Sequence, residues 1–586
     1  MKVLGGDVIA RMLKEEGVEK VFGIIDGTYF GFYSSLEKHG IELISPRHET
    51  SAVHMAATYA RLTGKIGVCM ASNGPGVANL LPGVAVEEAE GNRVLCITSS
   101  RRPQIIYPDR GGAYQFFDHV GVIGAMSKFS QPVRFPERIV EIMRQAFRAS
   151  YKGRPGVVHV DVPENILNSK VEIDEGVFLK PSEYRNTQPL YPNPDMVEKA
   201  AKMIAGAKFP IMHVGSGIIH SNAFYELKEV AELAYMPVTT SWAARGALCE
   251  DNSLSMPMIH VEVNNDLRND ADLVLVVGTR MGETDWWGKE PNWANPNAQK
   301  VIQVDIEDEW IGRNKKVDLG IIADAKVFLG QLAHRLSEMK NEATLAQRKD
   351  AYQKHLLKRD KHREKLDKNL EDFSSPMNTA HVAHIAKKKF AKDAVAIFDG
   401  GNTAVWGQFF YKCTTPGHGI STPKMGMLGA GVSQAVGAKV AKPNNQVYCI
   451  IGDGAMGFHM QEIETAVRNN LPVVYMVVTD KQWGMVKMNQ QFQLKPIQAL
   501  IDNKIHKKPL DQSINADFSE IEWDKLAQSM GAFGIRVNNP KDLESAIDKC
   551  LASQKASVIH IDVDPLKHMW APSLQEFKKM HQEPGE

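Results

Sequence analysis

The sequence predicts an α/β protein made of three doubly wound parallel-sheet domains. One grammar recurs in three segments: a short run rich in Val and Ile, a glycine-containing turn, then an amphipathic helix. Runs such as ADLVLVVG and LPVVYMVV are continuously apolar rather than alternating, as strands covered on both faces are. The 586 residues also exceed what one hydrophobic core can hold.

The first domain is expected over residues 1–170. It opens on an amphipathic helix (MKVLGGDVIARMLKEEG) and carries strands in KVFGII, GVCMAS, VLCITSS and GVVHVDVP. A linker with four prolines, FLKPSEYRNTQPLYPNPD, follows. The middle domain, 190–340, has strands in FPIMHVG, ADLVLVVG and KVIQVDIE. Residues 341–372 are rich in charge, with a few Leu at helical spacing, and read as a solvated connecting helix. The third domain, 373–565, has strands in VAIFDG, VYCIIGDG and VVYMVV. The tail, 566–586, is amphipathic and suited to pack as a strap or close over a site.

Composition narrows the classes. The formal net charge is zero, with 43% apolar and 24% charged residues, so neither a nucleic-acid nor a membrane partner is expected. No apolar run approaches the ~20 residues needed to span a bilayer. The N-terminus lacks the continuous apolar core of a signal peptide. Six scattered cysteines without a CxxC pair indicate neither a disulfide framework nor a zinc site, and the cytoplasm is the expected compartment.

The chemistry centres on Gly452-Asp453-Gly454, directly after the strand VYCII. Glycines let backbone N–H groups approach a phosphate, and an aspartate at a strand's carboxyl end holds a hard cation through oxygen. A second acid, Asp480, ends the next strand 27 positions later. A strand, helix, strand unit of that length sets the two ends side by side. Asp453, Asp480 and a carbonyl just beyond are therefore candidate Mg²⁺ ligands, leaving room for phosphate oxygens and water.

This arrangement resembles the diphosphate-binding motif of thiamine-diphosphate-dependent enzymes, which runs from GDG to a pair of asparagines. Here Thr479-Asp480 replaces that pair. The resemblance makes Asp453, Asp480 and the carbonyl of Gln482 the metal ligands, and Gly452, Gly454 and Ala455 part of the cofactor site. It names the domains pyrimidine-binding, middle and diphosphate-binding, and implies thiamine diphosphate and Mg²⁺ as cofactors. SPRHETSAVHMAATYARLTG is similar to the segment whose glutamate, here Glu49, hydrogen-bonds N1′ of the aminopyrimidine. That role asks for a carboxyl group in apolar surroundings. NGPG at Asn73, Gly74, Pro75 and Gly76 resembles the glycine-rich loop near the cofactor. In ISTPKMGMLGAG, Leu428 matches the wedge beneath the cofactor, with Gly426 bonding the pyrimidine. Gly401, Asn402 and Thr403 are candidate diphosphate donors. The resemblance also implies a site built between two subunits, hence a homodimer or homotetramer.

Two branches of the family compete for the reaction. GAYQFFDH is similar to a segment shared by acetolactate synthases, oxalyl-CoA decarboxylases and 2-hydroxyacyl-CoA lyases. Tyr114, Gln115 and Trp483 are expected to face the substrate, with Trp483 also against the cofactor. SSRR, GGNT and GTRMGETDWWGKEPNWA resemble the acyl-CoA branch, whereas EWIGRN and WGMVKMNQQF resemble acetolactate synthases. The substrate is accordingly a 2-oxo acid or an acyl-CoA. Arg101, Arg102, Arg280 and Lys289 are the candidate cations for the latter. A cofactor-free scaffold subunit is the reading from another class.

Overall fold

The computed structural model describes residues 2–494, 496–501, 505 and 513–579, so the last residues of the predicted tail, 580–586, lie outside it. Among the described residues are three six-stranded sheets, each wholly parallel, and one antiparallel ribbon of Lys2–Leu4 with Lys170–Glu172. Strands such as Val94–Ser100, Val157–Pro163 and Val473–Thr479 are buried at every position, which explains their unbroken apolar runs.

The first sheet has the order Glu42–Ile44, Lys20–Gly23, Gly67–Ala71, Val94–Ser100, Val157–Pro163, Phe129–Pro132. The third sheet repeats that order with Gly419–Ile420, Val395–Asp399, Val447–Gly452, Val473–Thr479, Ser557–Asp562 and Phe533–Val537. The middle sheet runs Ser255–Met256, Val238–Thr240, Pro210–Val214, Leu273–Val277, Lys300–Asp305, Leu319–Ile322. In each sheet the strand order changes direction beside the strand that comes first in the chain, Lys20–Gly23, Pro210–Val214 or Val395–Asp399. Such reversals open a crevice at the carboxyl ends, where ligands of open α/β sheets bind.

The first and third domains share one hydrophobic core. The helix Glu49–Thr63 is buried at every position from Glu49 to Ala60. It starts where the His48 ring accepts the Thr50 amide and stops at Gly64, whose φ of 74° is left-handed. Ala52, Ala56, Ala57 and Ala60 keep it slim enough to lie against Ala430–Ala441. A β-carbon at Gly437 would stand 2.6 Å from the Met55 carbonyl oxygen.

The charged segment forms one long helix, Glu342–Asp367, but it is not solvated throughout. Arg348 is 2% exposed. Its guanidinium donates to the carbonyls of Ala234, Ile204 and Ala207 at 2.5, 2.6 and 2.8 Å. These groups end the helices Phe224–Ala234 and Pro194–Gly206, where carbonyls lack intrahelical partners. Tyr352 and Leu366 are buried on the same helix. No described helix is long and apolar enough to cross a membrane.

Candidate active site

The crevice of the third sheet lies between the ends of Val395–Asp399 and Val447–Gly452. From the first strand the chain turns through Gly400, whose φ of 98° suits glycine, and enters the helix Asn402–Phe410. From the second it passes Gly452 into the short helix Asp453–His459. The two turns face each other, since a β-carbon at Gly452 would lie 3.0 Å from Thr403 Oγ1. At Gly454 it would come within 2.6 Å of the Trp483 ring, so glycine is required for the indole to approach. Trp483 is braced edge-on by Phe518, ring centroids 4.7 Å apart. Gly401, Asn402, Thr403, Gly452, Asp453, Gly454, Asp480, Gln482 and Trp483 thus gather at one end of one sheet.

Asp453 and Asp480 follow the ends of adjacent strands, and both are enclosed there. Asp453 accepts the amides of Lys481 and Gly454, both at 2.8 Å. Asp480 accepts from the Gln482 side chain at 3.2 Å. Burial raises the pKa of both, and the charge of Asp453 raises that of Asp480 further. Among the described residues the nearest basic partner is His568, 3.9 Å from Asp480, and burial depresses its pKa to about 3. A pair of enclosed carboxyl groups with a neutral imidazole beside them is a donor set suited to a divalent cation. The Gln482 carbonyl is outside the backbone pairing of this segment, which runs from Trp483 N to Ala516 O and from Phe518 N to Lys481 O. Asn402 Oδ1 is buried and has no partner among the described residues, a further group suited to a ligand. The residues present therefore fit a magnesium diphosphate.

Asp399 was not anticipated from the sequence. Fully enclosed, it accepts the amides of Gly400 at 2.5 Å and Gly431 at 2.7 Å. It thereby ties the Gly400–Thr403 turn to the start of the helix Ala430–Ala441, preceded by Gly426 and Leu428. Gly426 has a φ of 61°, its amide bonds the Thr422 carbonyl at 2.8 Å, and Leu428 is half-buried against the shared core. Desolvation raises the pKa of Asp399 to about 6. The start of the tail packs against the same turn. His568 contacts Thr379 Oγ1 at 2.9 Å and Thr403 Oγ1 at 3.3 Å, and the Met569 carbonyl accepts from Asn402 at 3.4 Å. Nothing in LKHMW signals this, because the contacts depend on where the chain returns.

The remaining predicted residues sit on the first sheet. Glu49 is buried at the start of its helix and accepts from Asn79 Nδ2 at 3.1 Å. A β-carbon at Gly76 would stand 3.3 Å from Glu49 Oε1, which places the NGPG loop against the carboxyl group. Gln115 has a φ of 52° and accepts from Asn73 Nδ2 through its carbonyl at 3.2 Å. Tyr114, beside it, is 73% exposed. Glu49 and Gln115 find their partners within the first domain, and Asp453 and Asp480 within the third. Of the cations considered for an acyl-CoA, Arg101 and Arg102 face Glu164 at 3.6 and 3.2 Å, and Lys289 is exposed. Arg280 stacks over Trp310 and lines a cavity of about 1290 Å³ at the crevice of the middle sheet.

Comparison with known proteins gives three matches in chain order. Residues 3–122 match the thiamine pyrophosphate enzyme N-terminal TPP binding domain, 197–332 the central domain and 399–561 the C-terminal TPP binding domain. The acetolactate synthase large subunit of Cyanidium caldarium is 31% identical, over 94% of this chain and 91% of its own. The acetolactate synthase isozyme 3 large subunit of Escherichia coli K12 is 28% identical, over 97% and 96%. The acetolactate synthase large subunit of Haemophilus influenzae is 29% identical, over 98% and 97%.

Proposed function

The chain belongs to the thiamine pyrophosphate enzyme family, and from that premise we propose that it cleaves carbon dioxide from a 2-oxo acid and joins the remaining acyl unit to a second carbonyl compound. It is a thiamine-diphosphate-dependent enzyme of the decarboxylase and carboligase kind. Bound thiamine diphosphate supplies a nucleophilic carbon and a sink for the electrons released by C–C cleavage.

The enclosed pair Asp453 and Asp480 beside the glycine turns carries this reading. Together with the Gln482 carbonyl these carboxyl groups would hold Mg²⁺, and Gly401, Asn402, Thr403, Gly452, Gly454 and Ala455 would grip the diphosphate. Gly426 and Leu428 support the pyrimidine end. Glu49, held in orientation by Asn79, would offer its carboxyl group to the pyrimidine as the acid or base. Trp483 walls the site, and Tyr114 and Gln115 face the substrate. By its likeness to the family, the site is completed between two copies, in a cytoplasmic homodimer or homotetramer.

A second reading takes an acyl-CoA as substrate. Arg280 in the large middle-domain cavity favours it, since a nucleotide portion needs both room and cations. Product analysis separates the two. Incubation with pyruvate is expected to release carbon dioxide and form a new 2-hydroxy-3-oxo acid, whereas turnover only of oxalyl-CoA, or of a 2-hydroxyacyl-CoA, would replace the first reading by the second.

A further inference from the structure

A smaller cavity, about 330 Å³, lies where all three domains meet. The first domain contributes Arg61 and Arg93, the middle domain His220 and Phe224, the third Lys442. Its lining has three fixed cations and no carboxylate, unlike the large cavity, which also holds Asp285, Asp305 and Asp324. Arg61 makes no hydrogen bond or ion pair among the described residues, and its Nε is sealed from solvent without a partner. The Nε2 of His220 is likewise enclosed and unpartnered. The acids whose fields reach Arg61, Glu87 and Glu90, are already engaged. Glu87 pairs with His54 at 2.5 Å and accepts from Asn92 at 2.6 Å, while Glu90 takes the Lys424 amide at 2.8 Å. Withdrawing a guanidinium from water without an acceptor is costly, and its planar fork matches two oxygens of one anion.

We propose that this cavity is a binding site for a small oxyanion, of the phosphate or short carboxylate class, gripped by Arg61 and Lys442. The site is separate from the cofactor crevice, and its ligand bridges the domains that carry Glu49 and Asp453. Calorimetric titration of the holoenzyme with inorganic phosphate, and separately with malonate, tests it and tells the two sources apart.

One saturable site is expected for at least one anion. Lys442→Met should weaken it by about ten-fold or more, equivalent to losing one charge-assisted hydrogen bond, and Arg61→Met should abolish it. Arg313→Met, which alters only the large cavity, should leave it unchanged. Because Lys442 is half-buried, its variant carries the test if Arg61→Met does not fold. No saturable binding of either anion, wild-type affinity in Lys442→Met, or loss of the site in Arg313→Met would each overturn the proposal.

Discussion

Asp399 Oδ2 accepts the Gly431 amide at 2.7 Å, which fixes the turn after one strand of the third sheet to the helix behind it. Gly400 donates to the other oxygen. An amide side chain accepts only at one of these places and presents hydrogens at the other. Asp399→Asn is therefore expected to weaken thiamine diphosphate binding about ten-fold and to lower stability by ~1–3 kcal/mol, the cost of an unsatisfied buried group. Fluorescence titration with the cofactor and thermal unfolding check both.

Glu49 is expected to act on a proton without carrying the fold. Glu49→Gln keeps the acceptor for Asn79 and removes the acid, so turnover should fall by about 10²–10⁴-fold while cofactor affinity and melting temperature stay near wild type. Full activity in the variant would sink the assignment.

At the proposed metal site, Asp480→Asn removes the repulsion between two enclosed carboxyl groups. In chelator its melting temperature should rise above wild type, and Mg²⁺-dependent cofactor binding should persist. Asp453→Ala should abolish that binding, because it also releases the amides of Lys481 and Gly454. Paired melts with and without Mg²⁺ distinguish the two variants.

His159 sets an acid limit on stability. Enclosed between Thr98 and Ser130, it is held by burial at a pKa of about 4, below its ordinary 6.5. The unfolded chain therefore takes up the proton first as pH falls. Stability is lost between pH 6.5 and about 4, by up to ~3 kcal/mol from this group, with no further loss from it below. His159→Gln should flatten the decline in melting temperature over that window; an unchanged slope would refute the account.

The three sheets were legible because buried parallel strands announce themselves as unbroken runs of Val and Ile, as in Val473–Thr479. Gly452 to Gly454 and Asp480 were legible because strand ends and spacing follow from chain order alone. Asp399 was not, since VAIFDG reads like any strand end and its partner Gly431 is 32 residues away. The same holds for His568, whose place over Thr403 is set by the return of the chain. Arg348 looked like one more charge on a solvated helix, although three carbonyls from two other helices enclose it.

The approach of Gly437 to the Met55 carbonyl bears on how the molecule moves. Two helices whose backbones already touch cannot slide or rock without parting, and the core around them is continuous from one sheet to the other. The two outer domains of a chain thus behave as a single rigid block. Crosslinking the two helices is therefore expected to leave the catalytic cycle intact, with substrate admission left to segments such as that around exposed Tyr114.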